Sequence, residues 1–169
     1  MRHWIDQPLP HHEETNVVFF RGMSLDALTR GLLAAQRMPL AYGKGTEWGV
    51  TMHHMLSWQA GDYDLAHYEP LCQDGGELVV FATEPCLAKA FGPDFAYYRD
   101  GRLVTSFSFE TPDYRFGDEP DLLHPALTAA KLAGPDADLA DDDIEERIVQ
   151  AITEFLALPE LDLPEIGLP

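Results

Sequence analysis

Positive charge is what this chain has least of. Eleven Lys and Arg stand against 29 Asp and Glu in 169 residues, a formal net charge of −18. Such a deficit repels nucleic-acid phosphate and anionic membranes and draws in basic proteins. Cysteine is scarce too, with only Cys72 and Cys86. They lack the Cys-x-x-Cys spacing of zinc and redox sites, and two separate cytosolic thiols are the simpler reading over a disulfide framework. No apolar run approaches the length of a membrane span. The opening Met1-Arg2-His3-Trp4-Ile5-Asp6 is followed by Pro8, Pro10 and two histidines, without the apolar core of a secretion signal. The expected location is therefore the cytoplasm.

Catalytic and metal motifs are also wanting. There is no Gly-x-Ser-x-Gly elbow. Gly43-Lys44-Gly45-Thr46 lacks the spacing of a phosphate loop and reads as an ordinary loop. His11-His12-Glu13 offers adjacent ligands that do not converge on one ion without a third group. The aspartates from Asp136 to Asp143 resemble a calcium loop, but the positions that need Gly and Glu hold Asp141 and Arg147. No cofactor and no metal is expected.

What is present is a core. Hydrophobic residues make up 46% of the chain and aromatics 11%, well above what a disordered acidic chain carries. One domain over residues 16–157 is expected, with a flexible arm over 1–15 and a proline-rich tail over 158–169. Asn16-Val17-Val18-Phe19-Phe20-Arg21 reads as a strand. Ser24 is a good N-cap for a helix over 25–37, with Leu25, Leu28, Leu32 and Ala35 at helical spacing and Pro39 as its stop. Residues 48–55 suit a strand with Trp48, Val50 and Met52 on one face. A long connection follows over 59–76, then a strand over 77–82.

The strongest local signal is Asp100-Gly101, set between two aromatic, β-branched runs. An Asp-Gly pair accepts the two positive-φ positions of a type I′ hairpin turn. The second arm alternates, with Leu103, Thr105, Phe107 and Phe109 on one face. Two helices close the domain, one from about residue 118, where Pro125 divides it, and one capped by Asp141, Asp142 or Asp143. The latter carries the stripe Ile144, Ile148, Ile152 and Phe155. The order predicts an α+β fold: an antiparallel sheet with a central Asp-Gly hairpin, packed on one face by about three helices.

Three groups of residues carry the functional expectations. From Glu110 onward sixteen acidic residues face three basic ones, so the last third projects most of the negative field. Asp136, Asp138, Asp141, Asp142, Asp143, Glu145 and Glu146 form its densest cluster and would steer a basic partner. A second candidate is a pocket of Trp48, His53, His54, Trp58, Asp62, Asp64 and His67, with carboxylates near histidines for acid–base work. The aromatics Tyr97, Tyr98, Phe107 and Phe109 lack the surrounding cations of a nucleic-acid platform and read as core and sheet surface.

The opening strand with Arg21-Gly22, the hairpin run from Asp100 to Phe107, the stretch from Arg115 to Leu123 and the helix end Leu132-Ala133-Gly134 together carry a resemblance. Over residues 16–156 the chain resembles a family of uncharacterised actinobacterial proteins, a domain of unknown function. Residues 40–76 depart from that pattern with a Trp-, His- and Tyr-rich segment. The resemblance implies no activity. In size and acidity such proteins are similar to immunity proteins. The leading expectation is thus a non-enzymatic protein-binding domain for a basic partner, with no nucleic-acid or membrane partner. A small-molecule enzyme or sensor using 48–68 is the alternative, and a DNA mimic ranks last because the acids cluster at helix starts.

Overall fold

A computed structural model describes residues 5, 15–37, 39–44, 47–54, 68–82, 93–135, 137 and 143–159. Seven strands form one sheet: β1 (Thr15–Arg21), β2 (Pro39–Lys44), β3 (Gly49–His54), β4 (Glu77–Ala82), β5 (Asp94–Arg99), β6 (Arg102–Ser108) and β7 (Arg115–Phe116). Their spatial order is β2-β3-β1-β4-β5-β6-β7, and every pairing is antiparallel. The helices among the described residues are α1 (Leu25–Ala34), α2 (His124–Ala129) and α3 (Ile144–Leu156), with a 3-10 turn at Glu69–Leu71. The α+β class and the antiparallel sheet stand as the sequence implies.

The helices, however, divide between the two faces. Successive residues of a strand point to opposite sides, and β1 is buried on both. Val17 and Phe19 join Val50, Met52, Val79, Phe81, Phe95, Phe107, Leu127, Ile148 and Ile152 in one core under α2 and α3. Val18 and Phe20 join Leu28, Leu32, Tyr68, Cys72, Leu78, Val80 and Tyr98 in a second core under α1 and the 3-10 turn. One-face packing is corrected to a three-layer arrangement. The reason lies in the strands: 17–20 and 78–82 are apolar at every position, which suits a strand covered on both sides.

The hairpin forms where the sequence places it. Asp100 (φ 53°) and Gly101 (φ 77°) both take positive φ, and Arg99 pairs with Arg102. The alternation of β6 is broken once. Tyr97 pairs with Thr105 but Tyr98 pairs with Leu103, so Val104 is an extra residue. This bulge turns Leu103 toward the second core while Val104, Phe107 and Phe109 stay in the first. Leu103 therefore lies on the face opposite to the expected one.

Other boundaries shift for identifiable reasons. Pro39 stops no helix; α1 ends at Ala34, and Pro39 opens edge strand β2, where a missing N–H is tolerated. Gly43 and Lys44 belong to that strand, not to a loop. Pro125 starts α2 instead of splitting a longer helix, as its position in the first turn permits. Ile5, placed in the expected arm, is fully buried in the first core, and Leu158 of the expected tail is buried there as well. Cys72 is a buried free thiol whose burial pushes its pKa up; Cys86 lies outside the described residues. No helix among the described residues is long and apolar enough to cross a membrane.

Candidate functional site: an acid-rimmed groove and two polar clusters

The helical layer over the first core carries an open groove of roughly 640 Å³ between α2 and α3. Its lining includes small side chains, Ala126 and Ala129 from α2, Ala130 at the cap of that helix and Ala151 from α3. Helical spacing puts those α2 residues on one side, because positions three and four apart are neighbours. Asp143, Glu146 and Glu154 stand on the rim, with Gln150 donating to Glu154 Oε1 at 2.8 Å. Arg147 is the one cation of the lining, and its Nη2 donates to Ala130 O at 2.8 Å, tying α3 to the end of α2. Phe155 borders the groove and remains 43% exposed. The groove thus combines apolar and anionic side chains.

Asp143 precedes α3, as the sequence suggests, but its side chain makes no capping bond. Its ψ of 17° is not the extended backbone that aims a carboxylate at the N-terminal amides. Asp143 is exposed, as is Glu146, while Glu145 is half-buried. Asp136, Asp138, Asp141 and Asp142 lie outside the described residues. Glu154 was not expected as a rim residue. Its signal was available, since it sits eight residues after Glu146 on the same helix.

A second cluster sits where β1, β4 and β5 meet on the α2/α3 face. Arg21 pairs with Glu77 across the strands. Its Nε donates to Glu77 Oε2 at 2.5 Å and its Nη2 to Oε1 at 3.1 Å. Tyr97 Oη donates to the same Oε1. The guanidinium also lies 4.2 Å from the ring centroid of buried Trp48. Burial works to raise the Glu77 pKa, but the bonds from Arg21 and Tyr97 outweigh it and hold the carboxyl below its ordinary value. Burial and the adjoining carboxylate push Tyr97 up to about 12. The arrangement fixes an ion pair where the end of β1 meets the start of β4. No local sequence signal reveals it, because it depends on strand register.

The third cluster lies on the α1 face. His53 Nε2 is 2.9 Å from Tyr68 Oη, and Asn16 Nδ2 donates to that oxygen at 2.8 Å. All three residues are buried. Desolvation drives the Tyr68 pKa upward, so its hydroxyl stays protonated. Asn16 Oδ1 finds no hydrogen-bond partner among the described residues.

The pocket expected from residues 48–68 is only partly placed. Trp48 belongs to the first core and His53 meets Tyr68 beside the second, so these two lie on opposite faces of the sheet. His54 pairs through its backbone with Thr15, and its side chain lies outside the described residues. Trp58, Asp62, Asp64 and His67 also lie outside them. Among the described residues no three His, Cys, Asp or Glu side chains gather as a metal site.

Comparison with known proteins matches neither a curated protein nor a solved structure. A family profile does match, over residues 31–161, which takes in six of the seven strands and all of α2 and α3. That span is well over half of the chain, and the protein accordingly belongs to the family of unknown function designated DUF6461.

Proposed function

We propose that this is a non-enzymatic, cytoplasmic, acidic protein-binding domain that docks onto a basic protein, in the manner of an immunity protein on a toxin. The groove between α2 and α3 carries the reading. Its alanine lining lets a partner's backbone or long side chain approach closely, and Phe155 offers an aromatic anchor at its edge. Asp143, Glu146 and Glu154 supply the charge a basic segment would meet, and Arg147 is held back by Ala130. The net charge of −18 extends that field beyond the contact itself. Long-range attraction of this kind raises the association rate more than the affinity.

The test begins with a tagged pull-down from native lysate at low salt, with a high-salt wash and mass spectrometry. The captured protein's association rate is then followed against ionic strength. The rate should fall steeply between low and physiological salt as screening shortens the field. Glu146→Gln with Glu154→Gln should reduce both the rate and its salt slope. A salt-independent rate, or double-variant kinetics equal to the parent's, refutes the reading.

A second reading, a small-molecule sensor or enzyme, draws on the His53–Tyr68–Asn16 cluster and on Asn16 Oδ1, which has no partner among the described residues. A metabolite and metal screen by thermal shift tests it. A ligand whose stabilisation vanishes in His53→Gln would favour it over the groove.

A further inference from the structure

Four large apolar side chains are exposed among the described residues, and two of them flank a single position: Tyr114 at 70% and Phe116 at 64%. Between them Arg115 turns inward. Its side chain is 12% exposed; Nε and Nη2 reach Asp121 Oδ1 at 3.1 and 2.9 Å, and Nη1 donates to Pro112 O at 3.0 Å. Tyr114 N donates to Thr111 O at 3.0 Å, which fixes the entry to β7. The exit is fixed too, by bonds from Asp118 N to Leu103 O (3.0 Å) and Glu119 N to Val104 O (2.8 Å). The backbone that presents both exposed rings is therefore tied down at each end. Such pre-ordering lowers the entropy lost on binding.

The surroundings define the partner. Glu110, Asp113 and Asp118, all within four residues of Tyr114 or Phe116 along the chain, are exposed, and Asp113 approaches Arg115 only at 4.0 Å. A purely apolar partner would desolvate these carboxylates without compensation. Phosphate or an anionic lipid surface would be repelled. A guanidinium meets both demands, since its plane stacks on an aromatic face while its edge binds carboxylate. The chain already builds this combination internally, where Arg21 stacks on Trp48 and forks onto Glu77.

We propose that Tyr114 and Phe116, with Asp113 and Asp118, form a second docking surface that takes arginine side chains from a basic protein segment. The surface is separate from the α2/α3 groove and stands whether or not the groove binds.

The test uses the full chain with two defined probes of equal length, an oligo-arginine and an oligo-lysine peptide, titrated calorimetrically at physiological salt. The arginine peptide should bind roughly threefold to tenfold tighter, because planar stacking separates the two cations where charge does not. Tyr114→Leu with Phe116→Leu keeps an apolar side chain at both positions but removes the π faces. It should abolish the arginine preference and leave a weaker, salt-sensitive residue of binding common to both peptides. Glu146→Gln with Glu154→Gln should leave the preference intact, which separates this surface from the groove. Equal binding of the two peptides by the parent chain overturns the proposal, as does a preference that survives in a folded double-leucine variant. Concentration-dependent self-association lost in that variant would also overturn it, by identifying the occupant as a second copy of this chain.

Discussion

Gly117→Ala is the perturbation whose cost can be worked most directly from the structure. Gly117 has φ +114°, and a Cβ there would lie 2.4 Å from Val104 O, 2.7 Å from Val104 C and 3.0 Å from Thr105 N. All three are backbone atoms of β6, so no side-chain rotation relieves the collision. The backbone conformation alone costs an L-residue about 1–3 kcal/mol. Relief requires residues 117–119 to withdraw from β6, which sacrifices the bonds from Asp118 N and Glu119 N, each contributing about 1 kcal/mol. The expected loss is roughly 3–5 kcal/mol. Gly75→Ala is the matched control: φ is +84°, but nothing lies within 4 Å of its Cβ. Its cost should be only the backbone preference, about 1–2 kcal/mol. Urea unfolding of the parent and both variants measures the difference, with an unchanged m-value confirming that stability alone has moved. Hydrogen exchange should show faster exchange of the Asp118 and Glu119 amides in Gly117→Ala. Equal destabilisation of the two variants, within about 0.5 kcal/mol, would refute the steric reasoning.

Other expectations follow from the polar clusters. The Glu77 carboxyl is held below its ordinary value of 4.5, so its stabilisation is present above that pH and is lost as pH falls through the folded value. Glu77→Gln should be less stable at neutral pH yet flatter across the acid limb; parallel parent and variant curves would contradict this. Tyr68, Tyr97 and Tyr98 are all raised from 10, chiefly by burial. The unfolded chain then releases these protons first, so stability should fall as pH climbs above 10. In an ultraviolet titration they should ionise later than a free tyrosine side chain, and ionisation at the free value before unfolding would count against their burial. Tyr68→Phe deprives His53 and Asn16 of a shared buried partner and should cost about 1–3 kcal/mol in thermal or urea unfolding; a neutral result would mean that water replaces the hydroxyl.

How far the sequence could be read depended on whether a feature was local. The Asp100-Gly101 turn was legible because two adjacent residues determine its backbone. The strand at 77–82 was legible as a continuous apolar run, and the helix over 144–156 because one-sided burial leaves a helical period in the sequence. The placement of α1 opposite α2 and α3 was not, since amphipathicity says that a helix buries a face but not which side of the sheet receives it. The β6 bulge was hidden for a related reason: it exists only relative to β5. The Arg21–Glu77–Tyr97 cluster joins residues up to 76 positions apart and needs two strand registers to assemble. Of the acidic site, Asp143 and Glu146 could be singled out by charge density, but the alanine lining between the helices had no sequence marker of its own. Tyr114 and Phe116 went unremarked because exposed and buried aromatics look alike in a sequence.

The central position of β1 has a consequence for the way this protein is made. Its two neighbours, β3 and β4, both follow it along the chain, and β4 ends at Ala82, some sixty residues after Arg21. At ordinary translation rates that separation corresponds to roughly 3–12 seconds. Throughout that interval Val17-Val18-Phe19-Phe20 has left or is leaving the ribosome with at least one edge unpaired. An apolar strand open on its edges is a template for pairing between chains. The nascent protein should therefore depend on a holding chaperone more than the finished one does. Slowing synthesis between β1 and β4 should increase aggregation, whereas slowing it after β6 should not.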